Sequence, residues 1–380
     1  MRIAVVMPRG CVMEEGRGNS MESVALTLNA RSRYGDDICI ICDDGAANPA
    51  LPNLTTVPAN LGKTARNRAV LARLKAFRPQ IVEYHQQLGP AAEIAKAMPG
   101  PVHVLYRHTR IKPPSNPIER YRYRRRLQAF DHLLFVSETA SAEFLADYPG
   151  FKWPVSAVCN PIDVDVWRAD ADGRERLILF SGRALPEKGL DAFCEALAGV
   201  LERNDDWRGA LLLGDWERHA AWAGPHIARL ERFGDRIEIH RSAPMAKVVE
   251  VTRRAAIAVT PSRVAEALGL TALEAHAAGA ALISSGRGGL REASGDHAVY
   301  VDPPEAEGLA AAMQRLMDDP ALRADLARAG QAFVVANHAP DVRAAQLDDL
   351  RRRLVTSASP QSVRDRGHAR ELTGDPAWAD

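Results

Sequence analysis

The chain has 380 residues, of which 46% are apolar, so it is long enough to bury about two domain cores at roughly 150 residues each. Its 49 Lys and Arg residues balance 48 Asp and Glu residues, and the net charge of +1 gives no general reason to expect nucleic-acid binding. Five cysteines at irregular spacing do not fit a secreted disulfide framework. No apolar run approaches the roughly 18 residues that cross a bilayer, and the first run is too short for a signal peptide, so we expect a cytoplasmic protein.

Short apolar runs alternate with longer segments of helical period, which predicts an α/β protein with parallel sheets and crossover helices. The polar, proline-containing segment 160–176 has neither period and predicts a linker. The strands predicted in the first half are 3–7, 38–42, 55–57, 81–84, 102–106, 133–136 and 156–158, with helices near 21–34, 64–77 and 91–98.

The second half repeats this alternation, so two similar α/β units lie in tandem. A charged helix at 346–354 follows them, and the Ser-, Pro-, Arg- and Asp-rich tail from residue 356 predicts disorder. The strands predicted in this half are 177–180, 210–213, 237–240, 256–259, 281–284 and 299–301, with helices such as 190–203 and 245–254.

The loops that follow strands carry the first candidate site residues, because ligands of open parallel sheets bind at the carboxyl ends of the strands. The loop 181–189 places Arg183 and Lys188 five residues apart, just before a predicted helix N-terminus. Two fixed cations beside the positive end of a helix suit a diphosphate. An ordinary solvated turn is the alternative, and this loop alone does not decide between them.

A stronger pattern lies at 260–275, where Glu266 and Glu274 stand on either side of Gly269 and a predicted helix start. The free amides of 269–271 would bind an anion, while each carboxylate accepts hydrogen bonds from hydroxyl groups beside it. A phosphate flanked by a polyol fits this layout. Glu274 has an alternative explanation, because Thr271-x-x-Glu274 is a capping-box pattern; Glu266 has none.

Two glycine-rich loops complete the candidate site. The loop 284–292 places paired glycines where a backbone can approach a ligand closely, although turn formation alone also explains them. In the first unit, Gly16 and Gly18 follow the first strand and give a loop flexible enough to admit a ligand. Asn19 or Ser20 is placed to cap the next helix.

Three motifs of the second unit, FSGRALPEKG, PSRVAEALGLTALEAHAAG and GRGGLRE, resemble glycosyltransferase family 4, the retaining GT-B sugar-nucleotide enzymes, in their order and spacing. The resemblance covers roughly residues 177–303. In the first unit it is limited to the glycine-rich first loop, His108 at the end of a strand, and residues 136–138.

The resemblance implies a GT-B fold, in which two Rossmann-like doubly wound domains face each other across a cleft. It implies an acceptor-binding domain at 1–165, a nucleotide-sugar-binding domain at 166–338, and a helix at 339–355 that returns to the first domain. The remaining segment, 356–380, is the tail whose composition predicts disorder.

The resemblance also implies a retaining hexosyltransferase that moves a sugar from a nucleoside-diphosphate sugar to a saccharide or lipid-linked acceptor. Arg183 and Lys188 would neutralise the diphosphate, and His108 would lie near the donor sugar and the acceptor. Glu274 would bind the ribose and Glu266 the sugar hydroxyls.

The implied catalytic residues are His108, Glu266, Arg183 and Lys188. The implied donor contacts are Arg183, Lys188, Glu266, Gly269, Leu270, Thr271 and Glu274. The acceptor side would comprise Gly16, Gly18, Asn19 and His85.

Other hypotheses fit less well. The DxD pairs at 163–165 and 170–172 could hold a divalent metal, but they fall in the linker, and two cations already supply the neutralising charge, so we expect no metal requirement. A sugar-nucleotide epimerase or a phosphorylase-like enzyme on the same fold would turn over the donor without acceptor-dependent release of the nucleoside diphosphate. An inactive binding protein is the non-enzyme alternative, although such a protein would not need all four charged residues.

The stretch 107–126 is locally basic, with one acidic residue, Glu119. A solvated helix face is one interpretation. The other is docking on anionic lipid or a phosphate-bearing acceptor, because each clustered cation near an anionic membrane contributes on the order of 1 kcal/mol. With the resemblance, this stretch predicts a role in envelope polysaccharide or lipopolysaccharide synthesis, peripheral to the cytoplasmic face of the membrane. Its basic residues are Arg107, Arg110, Lys112, Arg120, Arg122, Arg124, Arg125 and Arg126.

Overall fold

The computed structural model describes residues 1–13, 20–45 and 53–358. In this part of the chain the strands form two parallel sheets, of seven and six strands, and the predicted α/β class is confirmed. Helices cover both faces of each sheet, which is why the central strands are continuous apolar runs rather than alternating ones. The first strand, IAVV, is buried along its whole length.

The first sheet has the strand order β3-β2-β1-β4-β5-β6-β7, and every pairing is parallel. Its strands are β1 (Ile3–Val6), β2 (Ile38–Asp43), β3 (Leu54–Val57), β4 (Ile81–His85), β5 (Val102–Arg107), β6 (His132–Phe135) and β7 (Val155–Ala157). The helices between and after them are α1 (Ser20–Ala30), α2 (Lys63–Phe77), α3 (Leu88–Ala97), α4 (Pro117–Leu127), α5 (Glu138–Asp147) and α6 (Val164–Trp167).

The second sheet has the order β10-β9-β8-β11-β12-β13, again wholly parallel. Its strands are β8 (Glu175–Arg183), β9 (Arg208–Gly214), β10 (Ile237–Arg241), β11 (Ala255–Thr260), β12 (Ala281–Ser284) and β13 (Ala298–Tyr300). Its helices are α7 (Leu190–Leu201), α8 (Trp216–Ala228), α9 (Met245–Thr252), α10 (Leu270–Ala277), α11 (Leu290–Ser294), α12 (Ala306–Asp318), α13 (Pro320–His338) and α14 (Pro340–Ser357).

The predicted linker at 160–176 is partly wrong, because it contains a short helix and the start of a strand. Asp163 accepts a hydrogen bond from the amide of Val166 and so caps α6, whose Trp167 is buried. The carboxylate of Asp172, in the other DxD pair, forms an ion pair with Arg328. The Asp163 cap and the buried Trp167 ring therefore stabilise a short helix in a segment whose sequence has neither helical nor strand periodicity.

The helix α14 packs against α1 of the first unit. Its Arg351 is buried, and the guanidinium donates to both carboxylate oxygens of Glu83 on β4 at 2.7 Å. The same guanidinium donates to Asp348 at 3.0 Å and to Asn29 at 2.9 Å. A buried charge network thus ties the end of the described chain to the middle of the first sheet.

The helix α14 continues to Ser357, so the predicted tail begins inside it, and residues 359–380 lie outside the described residues. The predicted domain boundaries at 165, 338 and 355 stay predictions. Among the described helices, none combines the length and the apolarity that a membrane span requires.

Candidate functional site

Three loops meet at the carboxyl end of the second sheet, because the strands before them, β8, β11 and β12, are neighbours. The amide of Arg263 donates to the carbonyl of Glu187 at 2.8 Å, which joins the first two loops. The amide of Glu266 donates to the carbonyl of Arg287 at 3.3 Å, and Gly289 donates to the carbonyl of Glu266 at 2.8 Å. The three glycine-bounded segments singled out in the sequence therefore form one surface.

Two glycines allow this close contact. Gly189 has a φ of 70°, and a Cβ there would lie 2.1 Å from the carbonyl oxygen of Pro261. Gly288 has a φ of 61°, and a Cβ there would lie 2.4 Å from the carbonyl oxygen of Glu266. Any side chain would therefore be strained and would push the loops apart.

Lys188 and Glu266, two predicted site residues from different loops, form an ion pair with Nζ 2.5 Å from Oε1. Ser262 donates its hydroxyl to the same carboxylate oxygen at 2.5 Å. Both charged side chains remain partly accessible, at 21% for Lys188 and 18% for Glu266. The pair presents a cation and a carboxylate side by side, so that one ligand can contact both.

Arg183 ends β8 and is exposed. Within the described chain its guanidinium forms no ion pair and no side-chain hydrogen bond. The arginines of the two other loops are already engaged: Arg263 pairs with Asp191 at 2.9 Å and Arg287 with Asp302 at 2.6 Å. Arg183 is therefore available to an anionic ligand.

The helix α10 begins at Leu270, and its N-cap is Gly269, with a φ of 98° and no side-chain hydrogen bond. The capping-box explanation of Glu274 is therefore wrong, because Thr271 lies inside the helix and not at its cap. The amides of Leu270 and Thr271 have no acceptor among the residues described. They are free donors at the positive end of a helix, beside Glu266.

Glu274 lies one turn into α10, and burial raises its pKa to about 7. The described part of the structure contains no hydrogen-bond donor for its carboxylate. A shielded carboxylate without a partner costs stability, and such strain is typical of functional sites. Hydroxyl groups of a ligand would supply the missing hydrogen bonds.

We expect Glu274→Gln to stabilise the ligand-free protein at pH 8, by about 1–3 kcal/mol. Because the folded pKa lies above the unfolded value, the stability that protonated Glu274 contributes is complete below pH 4.5 and is lost as the pH rises through about 7. Thermal unfolding at pH 5 and pH 8 checks this, with the exposed Glu187→Gln as the control. A gain that is equal at both pH values would contradict the assignment.

The first unit contributes two histidines at the carboxyl ends of adjacent strands. His85 ends β4 and is buried, while His108 follows β5 and is partly exposed. Nδ1 of His85 lies 2.8 Å from Nε2 of His108, and the amide of His108 donates to Oε1 of Gln86 at 3.0 Å. Burial lowers the pKa of His85 to about 4 and that of His108 well below its usual range, so both rings are neutral at pH 7.

The predicted acceptor residues Gly16, Gly18 and Asn19 lie outside the described residues.

The carboxyl ends of the two sheets are joined at the start of α5. The hydroxyl of Ser137 donates to the carbonyl of Ala267 at 2.5 Å, next to Glu266 in the chain. Glu292 on α11 accepts hydrogen bonds from the amides of Glu138 and Thr139, the Thr139 hydroxyl and the Cys159 thiol, at 2.9–3.0 Å. Burial raises the pKa of Glu292, but these hydrogen bonds outweigh burial and leave it below its ordinary value. A deprotonated Glu292 therefore holds the start of α11 against the first unit.

Curated relatives align with about half of the chain. A D-inositol 3-phosphate glycosyltransferase from Nocardiopsis dassonvillei is 27% identical over 217 residues, which is 52% of this chain and 50% of that protein. The chain therefore spans about half the length of the curated relatives it matches.

Solved structures match nearly the whole fold. A glycosyltransferase from Rickettsia africae superposes with a TM-score of 0.77 at 15% identity, over 93% of this chain and 98% of that one. HepE from Anabaena, solved in complex with UDP-glucose, superposes with a TM-score of 0.72 at 13% identity, over 94% of this chain and 100% of that one. At these identities the likeness concerns the fold, which is GT-B.

Two family models match the chain in succession. The family described as Glycosyltransferase Family 4 matches residues 24–166, and that described as Glycosyl transferases group 1 matches residues 162–333. The second match contains the three loops built around Lys188 and Glu266, and the first contains both histidines. The chain therefore belongs to the family 4 glycosyltransferases of the GT-B fold.

Proposed function

We propose that this protein is a retaining glycosyltransferase that moves a hexosyl group from a nucleoside-diphosphate sugar to an acceptor hydroxyl. The observation that carries the proposal is the meeting of three loops that present Lys188, Glu266 and the free amides of Leu270 and Thr271 on one surface. The complex of Anabaena HepE with UDP-glucose supports this class of donor.

The roles of the cationic groups follow from where negative charge develops during the transfer. Breaking the bond between sugar and diphosphate leaves negative charge on the departing phosphate oxygens, and fixed cations and amides stabilise that charge. Lys188 and Arg183 supply the cations, and the N-terminus of α10 supplies the amides. Because these groups carry the neutralising charge, we propose that the reaction needs no metal ion.

The hydroxyl groups of the donor are bound by the carboxylates. Glu274 accepts hydrogen bonds from the ribose, which supply the partners that its partly buried carboxylate lacks, and Glu266 accepts them from the transferred sugar. His108 contacts the donor sugar and the acceptor from the first unit. The acceptor oxygen attacks from the face that the diphosphate leaves, and its proton passes to a departing phosphate oxygen on that face, so the anomeric configuration is retained without a covalent enzyme intermediate.

We propose that the acceptor is a saccharide or a lipid-linked molecule used in envelope polysaccharide or lipopolysaccharide synthesis. On α4, Ile118 and Tyr121 are 66% and 61% exposed, and Arg122 and Arg125 share their helix face at helical spacing. Exposed apolar and cationic groups on one face suit the surface of an anionic membrane. This contact would hold the protein on the cytoplasmic face, and cosedimentation with anionic and neutral vesicles tests it.

A nucleotide panel tests the proposed function. Of UDP, GDP, ADP, CMP and dTDP, one is expected to raise the unfolding temperature, because a ligand of the folded state stabilises it. The matching sugar nucleotide should then release nucleoside diphosphate only when acceptor is present, also in EDTA, and NMR should show a product with the donor's anomeric configuration. Release without acceptor, or an inverted product, would contradict the proposal.

A further inference from the structure

His85 and His108 of the first unit are hydrogen-bonded to each other, and the position of the proton in this hydrogen bond can be deduced from their surroundings. His85 on β4 lies opposite Tyr106 on β5 in the strand register, and His108 comes two residues after Tyr106. The Tyr106 ring packs against both imidazoles, with centroid distances of 5.0 Å to His85 and 4.7 Å to His108. The packing holds both rings in place, so the 2.8 Å contact between Nδ1 of His85 and Nε2 of His108 is a fixed hydrogen bond.

Two neutral rings share one proton in such a contact, and two arrangements are possible. If His108 donates, His85 must carry its own proton on Nε2. If His85 donates, its Nε2 carries only a lone pair, and His108 carries its proton on Nδ1. The two arrangements present opposite groups to a ligand of His108: a lone pair in the first and an N–H in the second.

The surroundings of His85 Nε2 distinguish the two arrangements. This atom is buried and has no hydrogen-bond partner among the residues described. A proton there would be a buried N–H without an acceptor, which proteins avoid more strictly than a buried acceptor without a donor. The nearby Glu83 carboxylate is occupied by Arg351, so it does not supply the missing acceptor.

Burial keeps both rings neutral, as this proton count requires. Burial lowers the pKa of His108 most, and then His85 and the guanidinium of Arg107 lower it further. Burial also dominates the lowered pKa of His85, where Glu83 acts in the opposite direction and Arg351 in the same direction. Neither ring is therefore an imidazolium at pH 7, and the hydrogen bond joins two neutral imidazoles.

We infer that His85 donates its Nδ1–H to Nε2 of His108 and thereby holds His108 in the Nδ1–H tautomer. His108 Nδ1 makes no hydrogen bond within the described chain, and the residue is partly exposed, so this N–H is free for a ligand. Resting on the proposed function, His108 then donates a hydrogen bond to a sugar or acceptor oxygen and does not remove the acceptor's proton. His85 is a positioning residue, because it is buried and acts only through His108.

Nitrogen NMR of the full chain, labelled with ¹⁵N-histidine, measures the tautomer directly. Two-bond correlations from the ring protons distinguish Nδ1–H from Nε2–H, and a His108→Gln sample identifies the signals of His108. We expect Nδ1–H in the wild type and in His85→Asn, whose side-chain amide keeps a donor near the position of Nδ1. In His85→Leu we expect His108 to change to Nε2–H. Nε2–H in the wild type, or Nδ1–H retained in His85→Leu, would overturn the inference.

Kinetics give a second measurement of the positioning role. We expect His85→Leu to lower kcat about tenfold with little change in the KM of the donor, and His85→Asn to recover most of the loss. Equal losses in both variants would show a packing role and overturn the inference. The wild-type tautomer does not depend on either variant folding. If that tautomer is Nδ1–H but no donor is turned over, the proposed function fails and the assignment of the tautomer stands.

Discussion

Replacing Lys188 by alanine is expected to lower kcat/KM for the sugar nucleotide by about 10²–10³, mainly through kcat. The ammonium lies 2.5 Å from Glu266, beside the free amides of α10, where the departing diphosphate would gain charge. Substrate and leaving group differ in charge, so a fixed cation stabilises the transition state more than the ground state. Steady-state kinetics with saturating acceptor measures the effect, and titration with the nucleoside diphosphate measures how far product binding weakens in parallel.

Lys247→Ala is the matched control. Its Nζ also lies close to a carboxylate, at 2.6 Å from Glu250, but on the outer helix α9, so we expect kcat/KM to change less than about twofold. The double variant Lys188→Ala, Glu266→Ala should lose less than the product of the two single losses, because the two groups act on one ligand. An active Lys188→Ala enzyme with wild-type kcat/KM would show that the diphosphate binds elsewhere.

The candidate donor loops could be predicted from the sequence because their chemistry is local. Arg183, Lys188, Glu266 and Glu274 all lie within a few residues of a predicted strand end or helix start, and parallel strands bring such loops to one edge. The capping-box hypothesis for Glu274 failed for a local reason too. The N-cap of α10 is Gly269, with a positive φ, two residues before the Thr271 that the capping-box pattern requires. A glycine cap forms no side-chain hydrogen bond, so the side-chain pattern does not reveal it.

The interdomain contact could not be predicted, because its partners are far apart in the chain. Glu292 is separated from Thr139 by 153 residues, and although Glu292 ends the motif GRGGLRE, nothing in that motif indicates which residue it contacts. The hydrogen bond between His85 and His108 is an intermediate case. The adjacency of β4 and β5 makes the contact plausible, but the direction of the proton depends on the burial of one ring nitrogen, which only the packed structure gives.

In the charged helix α14, the pattern of charges in the sequence does not predict which charged side chains are buried. The run QLDDLRRRL predicts a charged helix but not which of its charges are buried. Asp348 and Arg351 are buried, whereas Asp349 is partly exposed and Arg352 is exposed. The i, i+3 spacing of the buried pair is repeated by the exposed pair, so spacing does not separate them. The buried arginine differs from Arg352 in its distant partners, Glu83 on β4 and Asn29 on α1, which lie 268 and 322 residues away.

Replacing Arg351 by alanine is expected to destabilise the folded protein by about 3–5 kcal/mol, because it leaves the buried carboxylate of Glu83 without its cation and leaves Asp348 with only the more distant Arg33, at 3.6 Å. Urea unfolding followed by circular dichroism should show the transition of the first unit at lower denaturant. The exposed Arg352→Ala, which loses an ion pair with Asp349 at 3.3 Å, should change the free energy of unfolding by less than about 1 kcal/mol.

A compensated variant separates the cost of unpaired charge from the cost of lost packing. In Arg351→Met with Glu83→Gln, the methionine keeps most of the buried volume and the glutamine carries no charge, so we expect recovery of more than half of the loss. Asp348 then keeps the hydroxyl of Ser32 at 2.7 Å and the amide of Arg33 at 2.8 Å as donors. If the double variant were as unstable as Arg351→Ala, packing rather than charge would hold α14 on the first unit. If both were as stable as the wild type, α14 would not be anchored there by this network at all.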